Sequence, residues 1–130
     1  MSHAAPLFQA TGTVLLVEDD VLIRMDLSDY LRSIGGFKVL EAASADQAVT
    51  VLEARPDIDI LISDVRMPGQ MDGIALAAWA RTRRPQVRVV LMSGKLPRAA
   101  AVAADMVFSK PIHQPSVLTA VLRLLGSSIN

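Results

Sequence analysis

The fold of this chain is decided by one stretch near its start, Val14-Leu15-Leu16-Val17-Glu18-Asp19-Asp20. Its first four residues form a short, unbroken apolar run, which is typical of a strand buried on both faces of a parallel sheet. The run stops at three consecutive acids. This boundary predicts that the chemistry of the protein lies where its strands end.

The rest of the chain repeats this pattern. Further strands are predicted at 37–41, 59–64, 87–92 and 106–109. Helical spacing of apolar residues, with stops at glycine or proline, predicts helices between them. These helices lie at 23–34, 44–55, 74–84, in a short segment within 95–105, and from a first turn that holds Pro115. Asp20 is predicted to cap the first helix, and Ser44 with Gln47 forms a capping box for the second.

Five strand–helix units in succession predict an α/β fold, a parallel sheet covered by helices on both faces. Ligands of such sheets bind at the carboxyl ends of the strands. We therefore expect the polar residues that follow the strands to converge at one edge of the sheet. These residues are Glu18, Asp19, Asp64, Ser93 and Lys110.

Composition narrows the class of protein. The chain has 130 residues, with 13 Lys+Arg against 13 Asp+Glu, and 52% of it is apolar. We expect one domain at 12–126, a flexible lead-in at 1–11 and a tail at 127–130. The neutral charge balance argues against contact with nucleic acid or a membrane through a basic face. The absence of cysteine, of a signal peptide and of a membrane-spanning apolar run favours the cytoplasm.

The converging residues suit phosphoryl transfer. Three neighbouring carboxylates repel one another, and a hard divalent cation such as Mg²⁺ relieves that repulsion. Asp64 is then the predicted nucleophile, Lys110 would stabilise charge on the phosphoryl oxygens, and Ser93 would donate a hydrogen bond to them. Taken singly, each residue is more commonly an ordinary loop or capping residue. Their order at successive strand ends favours a site.

Four segments, in this order, resemble the receiver domain of two-component response regulators. They are 14–20, Leu61-Ile62-Ser63-Asp64-Val65-Arg66-Met67-Pro68, Val90-Leu91-Met92-Ser93-Gly94 and Lys110-Pro111. The resemblance extends over about 12–126, nearly the whole chain. It implies a five-stranded parallel sheet with strand order 2-1-3-4-5 and a cis Lys110–Pro111 peptide bond.

The resemblance also implies roles for single residues. Asp64 would accept a phosphoryl group from a partner's phosphohistidine. The direct ligands of Mg²⁺ (or Mn²⁺) would be Asp19, Asp64 and the backbone carbonyl of Arg66, with Glu18 as a second acid acting through water. Ser93 matches the switch hydroxyl of the family, and Lys110 matches its lysine.

This chain departs from the family pattern at several positions. The switch aromatic of the family falls on Val107, and Phe108 stands one position later, where strand alternation points it to the other face. The interval from Ser93 to the lysine is short, so we expect a shortened or irregular fourth helix. Arg66 and Lys95 occupy positions that modulate phosphate lifetime in the family. We expect these two cations to bind anionic phosphodonors or the acidic residues of a partner.

These features predict a signalling phosphoacceptor rather than an enzyme, one that assists only its own phosphorylation and dephosphorylation. Its partners would be a sensor histidine kinase or histidine phosphotransfer protein and a downstream protein target that the sequence does not identify. Homodimer formation is a further option. Because the domain fills most of the chain, we expect it to act through protein contacts without its own output domain.

Three alternatives stay open. The chain is also compatible with a receiver cut from a longer hybrid kinase or regulator. A phosphatase of the haloacid-dehalogenase type also uses an Asp nucleophile, a hydroxyl and a lysine. Such enzymes need a second acid two residues after the nucleophile, where this chain has Arg66, so this alternative is disfavoured. A receiver that binds a partner without phosphorylation is opposed by the complete set of acids and lysine, and is mildly favoured by the missing switch aromatic.

Overall fold

Five strands alternate with five helices in the computed structural model, which describes residues 11–95 and 98–126. The elements are β1 (Thr13–Val17), α1 (Val21–Ser33), β2 (Lys38–Ala42), α2 (Ala45–Ala54), β3 (Ile60–Asp64), α3 (Gly73–Arg83), β4 (Arg88–Ser93), α4 (Arg98–Ala103), β5 (Met106–Ser109) and α5 (Gln114–Leu124). The predicted lead-in, apart from residue 11, and the predicted tail lie outside the described residues. Within those residues, no helix combines the length and apolar character that crossing a membrane requires.

All five strands pair in parallel, in the order β2-β1-β3-β4-β5. This confirms the predicted α/β fold and strand order. In the register, Val17 of β1 stands beside Ser63 of β3, and Ser93 of β4 stands beside Ser109 of β5. The strands that carry the predicted site residues therefore end near one another along one edge of the sheet.

The sheet separates two apolar cores. Leu15 and Val17 of β1 pack with the cluster that includes α2, α3 and α4, whereas Val14 and Leu16 pack with α1 and α5. All four side chains are fully buried, because successive residues of a strand point to opposite faces and both faces are covered. The prediction that this apolar run is a strand buried on both faces is therefore confirmed.

Two helix caps fix the turns that follow β1 and β2. The Asp20 carboxylate accepts hydrogen bonds from the N–H groups of Leu22 and Ile23, at 3.0 and 3.1 Å. The Ser44 hydroxyl accepts from the N–H of Gln47, whose side chain accepts in turn from Ala43. Both predicted caps are present, although Gln47 reaches the residue before the cap rather than the cap itself.

Among the described residues, the helix α4 spans six residues and buries only Ala100. Its last carbonyl, of Ala103, accepts a hydrogen bond of 2.6 Å from Nε of Arg81 on α3. The shortened fourth helix is therefore confirmed. The following strand also alternates as predicted, because Val107 packs toward α2, α3 and α4 whereas Phe108 packs toward α1 and α5.

Candidate functional site

Three carboxylates meet at the carboxyl ends of β1 and β3. Glu18 and Asp19 follow β1 directly, and Asp64 is the last residue of β3. Each contributes one carboxylate oxygen to a group whose members lie within 4.8 Å of one another. Glu18 and Asp64 are buried, at 1% and 7% exposure, whereas Asp19 is exposed. The site is thus open to solvent on the side of Asp19.

Lys110 connects the two buried carboxylates. Its ammonium Nζ lies 2.8 Å from Oε1 of Glu18 and 2.9 Å from Oδ2 of Asp64. The lysine follows β5 and is tied to β4, because its N–H donates to the carbonyl of Ser93 at 2.8 Å. The Lys110–Pro111 peptide bond is cis, as the family resemblance implied.

Burial and charge shift two pKa values in this cluster. Burial raises the pKa of the Glu18 carboxyl above 4.5, and hydrogen bonds from Lys110 and from the N–H of Asp20 offset part of this rise. Burial by itself would lower the pKa of the Lys110 ammonium. Its hydrogen bonds to Glu18 and Asp64 outweigh burial and raise that pKa above 10.5. The site therefore holds its lysine as a cation.

The raised pKa of Glu18 predicts a pH dependence of stability. Because the folded protein holds this proton more tightly than the unfolded chain, the free energy of unfolding should fall as pH rises from 4.5 through the raised pKa. The raised pKa of Lys110 acts only near and above 10.5, outside this window. Urea denaturation across this range in metal-free buffer measures the slope. Glu18→Gln should flatten it, and equal slopes for both proteins would contradict the assignment.

Ser93 lies at the same edge but faces its own loop. This last residue of β4 is buried, at 2% exposure. Its hydroxyl donates to the carbonyl of Lys95 and accepts a hydrogen bond of 3.2 Å from the N–H of Lys95. The hydroxyl therefore belongs to the same edge of the sheet as the acidic cluster, and its hydrogen bonds are made within its own loop.

The two predicted modulating cations are exposed. Arg66 follows Asp64 by two residues, and Lys95 follows Ser93 by two. Neither forms an ion pair with any residue in the ranges 11–95 and 98–126. The roles of both side chains, of the Arg66 carbonyl and of Val107 stay predictions.

Two residues near the site were not identified from the sequence. The guanidinium of Arg24 donates from Nη1 to the backbone carbonyl of Glu18 at 2.7 Å. A Cβ atom added to Gly73 would lie 2.0 Å from the backbone carbonyl oxygen of Asp64. The only sequence signal was weak: an arginine in a polar position of α1, and a glycine at the start of α3.

The donor set fits a hard divalent cation. It consists of three carboxylates, without nitrogen or sulfur, and two of them are buried beside a single ammonium. Oxygen ligands of this kind suit Mg²⁺ or Mn²⁺, which retain water molecules and accept phosphate oxygens. The residues present therefore fit the metal that the resemblance implies, and Glu18, Asp19 and Asp64 would hold it.

Comparison with known proteins agrees with the geometry. A family model described as the response regulator receiver domain matches residues 14–122. Response regulator protein FleR from Pseudomonas aeruginosa is 43% identical over 116 residues, which are 85% of this chain and 24% of FleR. Sensor kinase CckA from Brucella abortus is 36% identical over 121 residues, which are 88% of this chain and 13% of CckA.

A solved structure supports the same fold. The crystal structure of a CheY-like receiver domain protein from Methanospirillum hungatei matches with a TM-score of 0.82 at 23% identity, over 90% of this chain and 95% of that one. The family model spans most of the chain, and the sheet order is that of this fold. On these grounds, the chain belongs to the response regulator receiver domains of two-component signalling.

Proposed function

We propose that Asp64 accepts a phosphoryl group from a phosphohistidine on a sensor histidine kinase or histidine phosphotransfer protein, in a reaction that requires Mg²⁺ or Mn²⁺. One observation carries the proposal. Asp64 shares the ammonium of Lys110 with Glu18, at 2.9 and 2.8 Å, and its carboxylate belongs to a cluster of oxygens within 4.8 Å. This arrangement combines a nucleophile, a fixed cation and a group of metal-ligating oxygens.

The chemistry follows from these contacts. A carboxylate oxygen of Asp64 attacks phosphorus, a new O–P bond forms, and the P–N bond of the donor breaks with its electron pair left on the imidazole nitrogen. Lys110 already contacts the Asp64 carboxylate, so its ammonium is close enough to stabilise the negative charge that develops on the phosphoryl oxygens. A bound Mg²⁺ would supply further positive charge to those oxygens.

The Ser93 hydroxyl is the proposed sensor of this charge. It would exchange its hydrogen bond to the Lys95 carbonyl for one to the phosphoryl group, and Gly94 and Lys95 would move with it. Because Val107 occupies the position of the switch aromatic, no aromatic ring there can change orientation when the hydroxyl moves. We therefore expect the change to affect α4, the next element along the chain.

A groove beside the site is the proposed docking surface for the phosphodonor. It has a volume of about 730 Å³ and is lined by Ile23, Asp26 and Leu27 of α1 and by residues 110–115. Lys110 belongs both to this groove and to the cluster around Asp64, so the groove adjoins the proposed acceptor. Next to the groove, the first turns of α1 expose large apolar side chains, led by Leu22 at 77% exposure. The occupant that fits is an amphipathic helix that bears the phosphohistidine.

Two exposed cations near the site support the proposed attraction of the phosphodonor or partner. The exposed side chains of Arg66 and Lys95 are free to attract an anionic donor or acids on the partner.

The receiver acts through protein contacts on a downstream target. The alternative is a receiver that forms part of a longer regulator or kinase. The lengths of FleR and CckA favour this alternative, because the chain spans only 24% and 13% of them.

Intact mass spectrometry tests the proposed acceptor. The protein is incubated with Mg²⁺ and a small acyl phosphate, and then with a phosphohistidine-bearing kinase. We expect the mass of one phosphoryl group to be added, and we expect Asp64→Asn to abolish the addition, because an amide is not a nucleophile of this kind. Asp59→Asn, at the opposite end of β3, is the matched control. Failure of both donors to modify the wild-type protein would overturn the proposal.

A further inference from the structure

We infer that Arg24 is a positioning residue that holds the Glu18–Asp19 peptide group, and thereby sets the affinity of the acidic cluster for Mg²⁺. This inference rests on the proposed function, because it assumes that Asp19 is a metal ligand. Arg24 lies on α1, outside the acidic cluster, and its side chain is 16% exposed. It is not proposed to touch the metal or the phosphoryl group.

Asp19 needs support from its backbone. Its carboxylate forms no hydrogen bond or ion pair within the part of the chain that the structure describes, whereas Glu18 and Asp64 both contact Lys110. The direction of the Asp19 side chain is therefore set by the peptide group that precedes it. Because a peptide group is planar, holding the carbonyl of Glu18 also fixes the direction of the N–H of Asp19.

Arg24 supplies this support from one side. Its Nη1 donates to the Glu18 carbonyl at 2.7 Å, while the N–H of Glu18 donates to the carbonyl of Ala42 at 3.1 Å. The peptide groups on both sides of Glu18 are thus anchored, one to α1 and one to β2. Loss of the arginine would free the second peptide group to rotate and would turn Asp19 with it.

Arg24 is itself held in place by Glu41 of β2. Its Nε lies 3.2 Å from Oε1 of Glu41, and Oε2 of the same carboxylate lies 3.2 Å from Nη2 of Arg32. Arg32 also donates to a backbone carbonyl, that of Val39, at 2.7 Å. The two arginines therefore lie on the same helix and contact the same carboxylate, and each donates to a different backbone carbonyl. Of the two, Arg24 alone contacts the acidic loop. Arg32 is a matched internal control.

The sign of the effect separates positioning from charge. Removing a cation near three carboxylates should by itself strengthen the binding of Mg²⁺, because less positive charge opposes the metal. Loss of positioning should weaken it. Removal of supporting contacts around metal ligands commonly lowers affinity by about 10-fold or more, and we expect a loss of that size for Arg24→Gln.

Calorimetric titration of the full chain with Mg²⁺ alone tests the inference. We expect Arg24→Gln to weaken binding about 10-fold, accompanied by a shift of the Asp19 amide resonance, and we expect Arg32→Gln to stay within about twofold of wild type. Thermal unfolding verifies that both variants are folded. If Arg24→Gln does not fold, Arg24→Lys keeps the charge and most of the aliphatic stem. It replaces the two nitrogens that donate separately to Glu41 and to the Glu18 carbonyl with a single one, and it should also weaken binding.

The outcomes are distinguishable. Binding by the arginine variant within twofold of wild type, or tighter than wild type, would overturn the inference and leave the proposed function intact. An equal loss in Arg32→Gln would also overturn it, because the effect would then belong to the whole network around Glu41. A wild-type protein that binds no Mg²⁺ would instead refute the proposed metal site, and the role of Arg24 with it.

Discussion

Replacement of Lys110 by methionine is expected to slow phosphoryl transfer to Asp64 by about 100-fold or more, the usual cost of losing one preorganised charge-stabilising group. The ammonium lies within 3 Å of both buried carboxylates. Methionine keeps most of the length of the side chain but cannot stabilise the charge that develops on the phosphoryl oxygens. The binding of Mg²⁺ should not weaken, because the lysine competes with the metal for Glu18 and Asp64.

Two measurements check this expectation. Single-turnover transfer from a small acyl phosphate gives the rate, and titration with Mg²⁺ gives the affinity. Lys38→Met is the matched control, since Lys38 begins β2 at the opposite edge of the sheet and its side chain is 61% exposed. A rate for the Lys110 variant within a few-fold of wild type would contradict the role of this lysine.

Replacement of Gly73 by alanine is expected to lower the free energy of unfolding by about 3 kcal/mol, at the upper end of the usual cost of overpacking. Gly73 is the first residue of α3, where alanine would ordinarily favour the helix. Its missing Cβ would lie 2.0 Å from the carbonyl oxygen of Asp64 and 2.9 Å from Cα of Val65. Both are backbone atoms, so neither can move aside as the end of a side chain could.

Gly94 provides the control for this substitution. A Cβ added there meets no heavy atom within 4 Å among the described residues, so Gly94→Ala should change stability by no more than about 0.5 kcal/mol. Urea denaturation of both variants measures the difference. The Gly73 variant should also accept phosphoryl groups poorly, because the peptide group of Asp64 must shift. Equal stability of the two variants would refute the close contact.

The sequence predicted the parts of this structure that depend on local pattern. Unbroken apolar runs identified the buried strands, and the bounds of β5 were predicted to the residue. Asp20 and Ser44 marked the starts of α1 and α2, because a capping side chain bonds to N–H groups only two or three residues away. The convergence of the polar residues followed from topology, since parallel strands end at a common edge.

The contacts around the site could not be predicted in this way. Arg24 reaches the Glu18 carbonyl because the short turn between β1 and α1 places the helix against the end of the strand. Spacing along a helix does not encode that placement. Gly73 lies against the backbone of Asp64 because the loop 65–72 returns to the end of β3, where the N–H of Gly73 donates to the carbonyl of Val65. Considered alone, a glycine at the start of a helix indicates a weak helix rather than a close contact. The direction of the Ser93 hydroxyl depends in the same way on the fold of its loop.

The brevity of α4 has a thermodynamic consequence. Helices shorter than about 12 residues are marginal on their own, and this one has six, a single buried side chain and one arginine contact at its end. Its local unfolding is therefore expected to cost less free energy than unfolding of the whole domain. Under the proposed function, phosphorylation of Asp64 is thus expected to reach a target as the ordering or melting of this short segment.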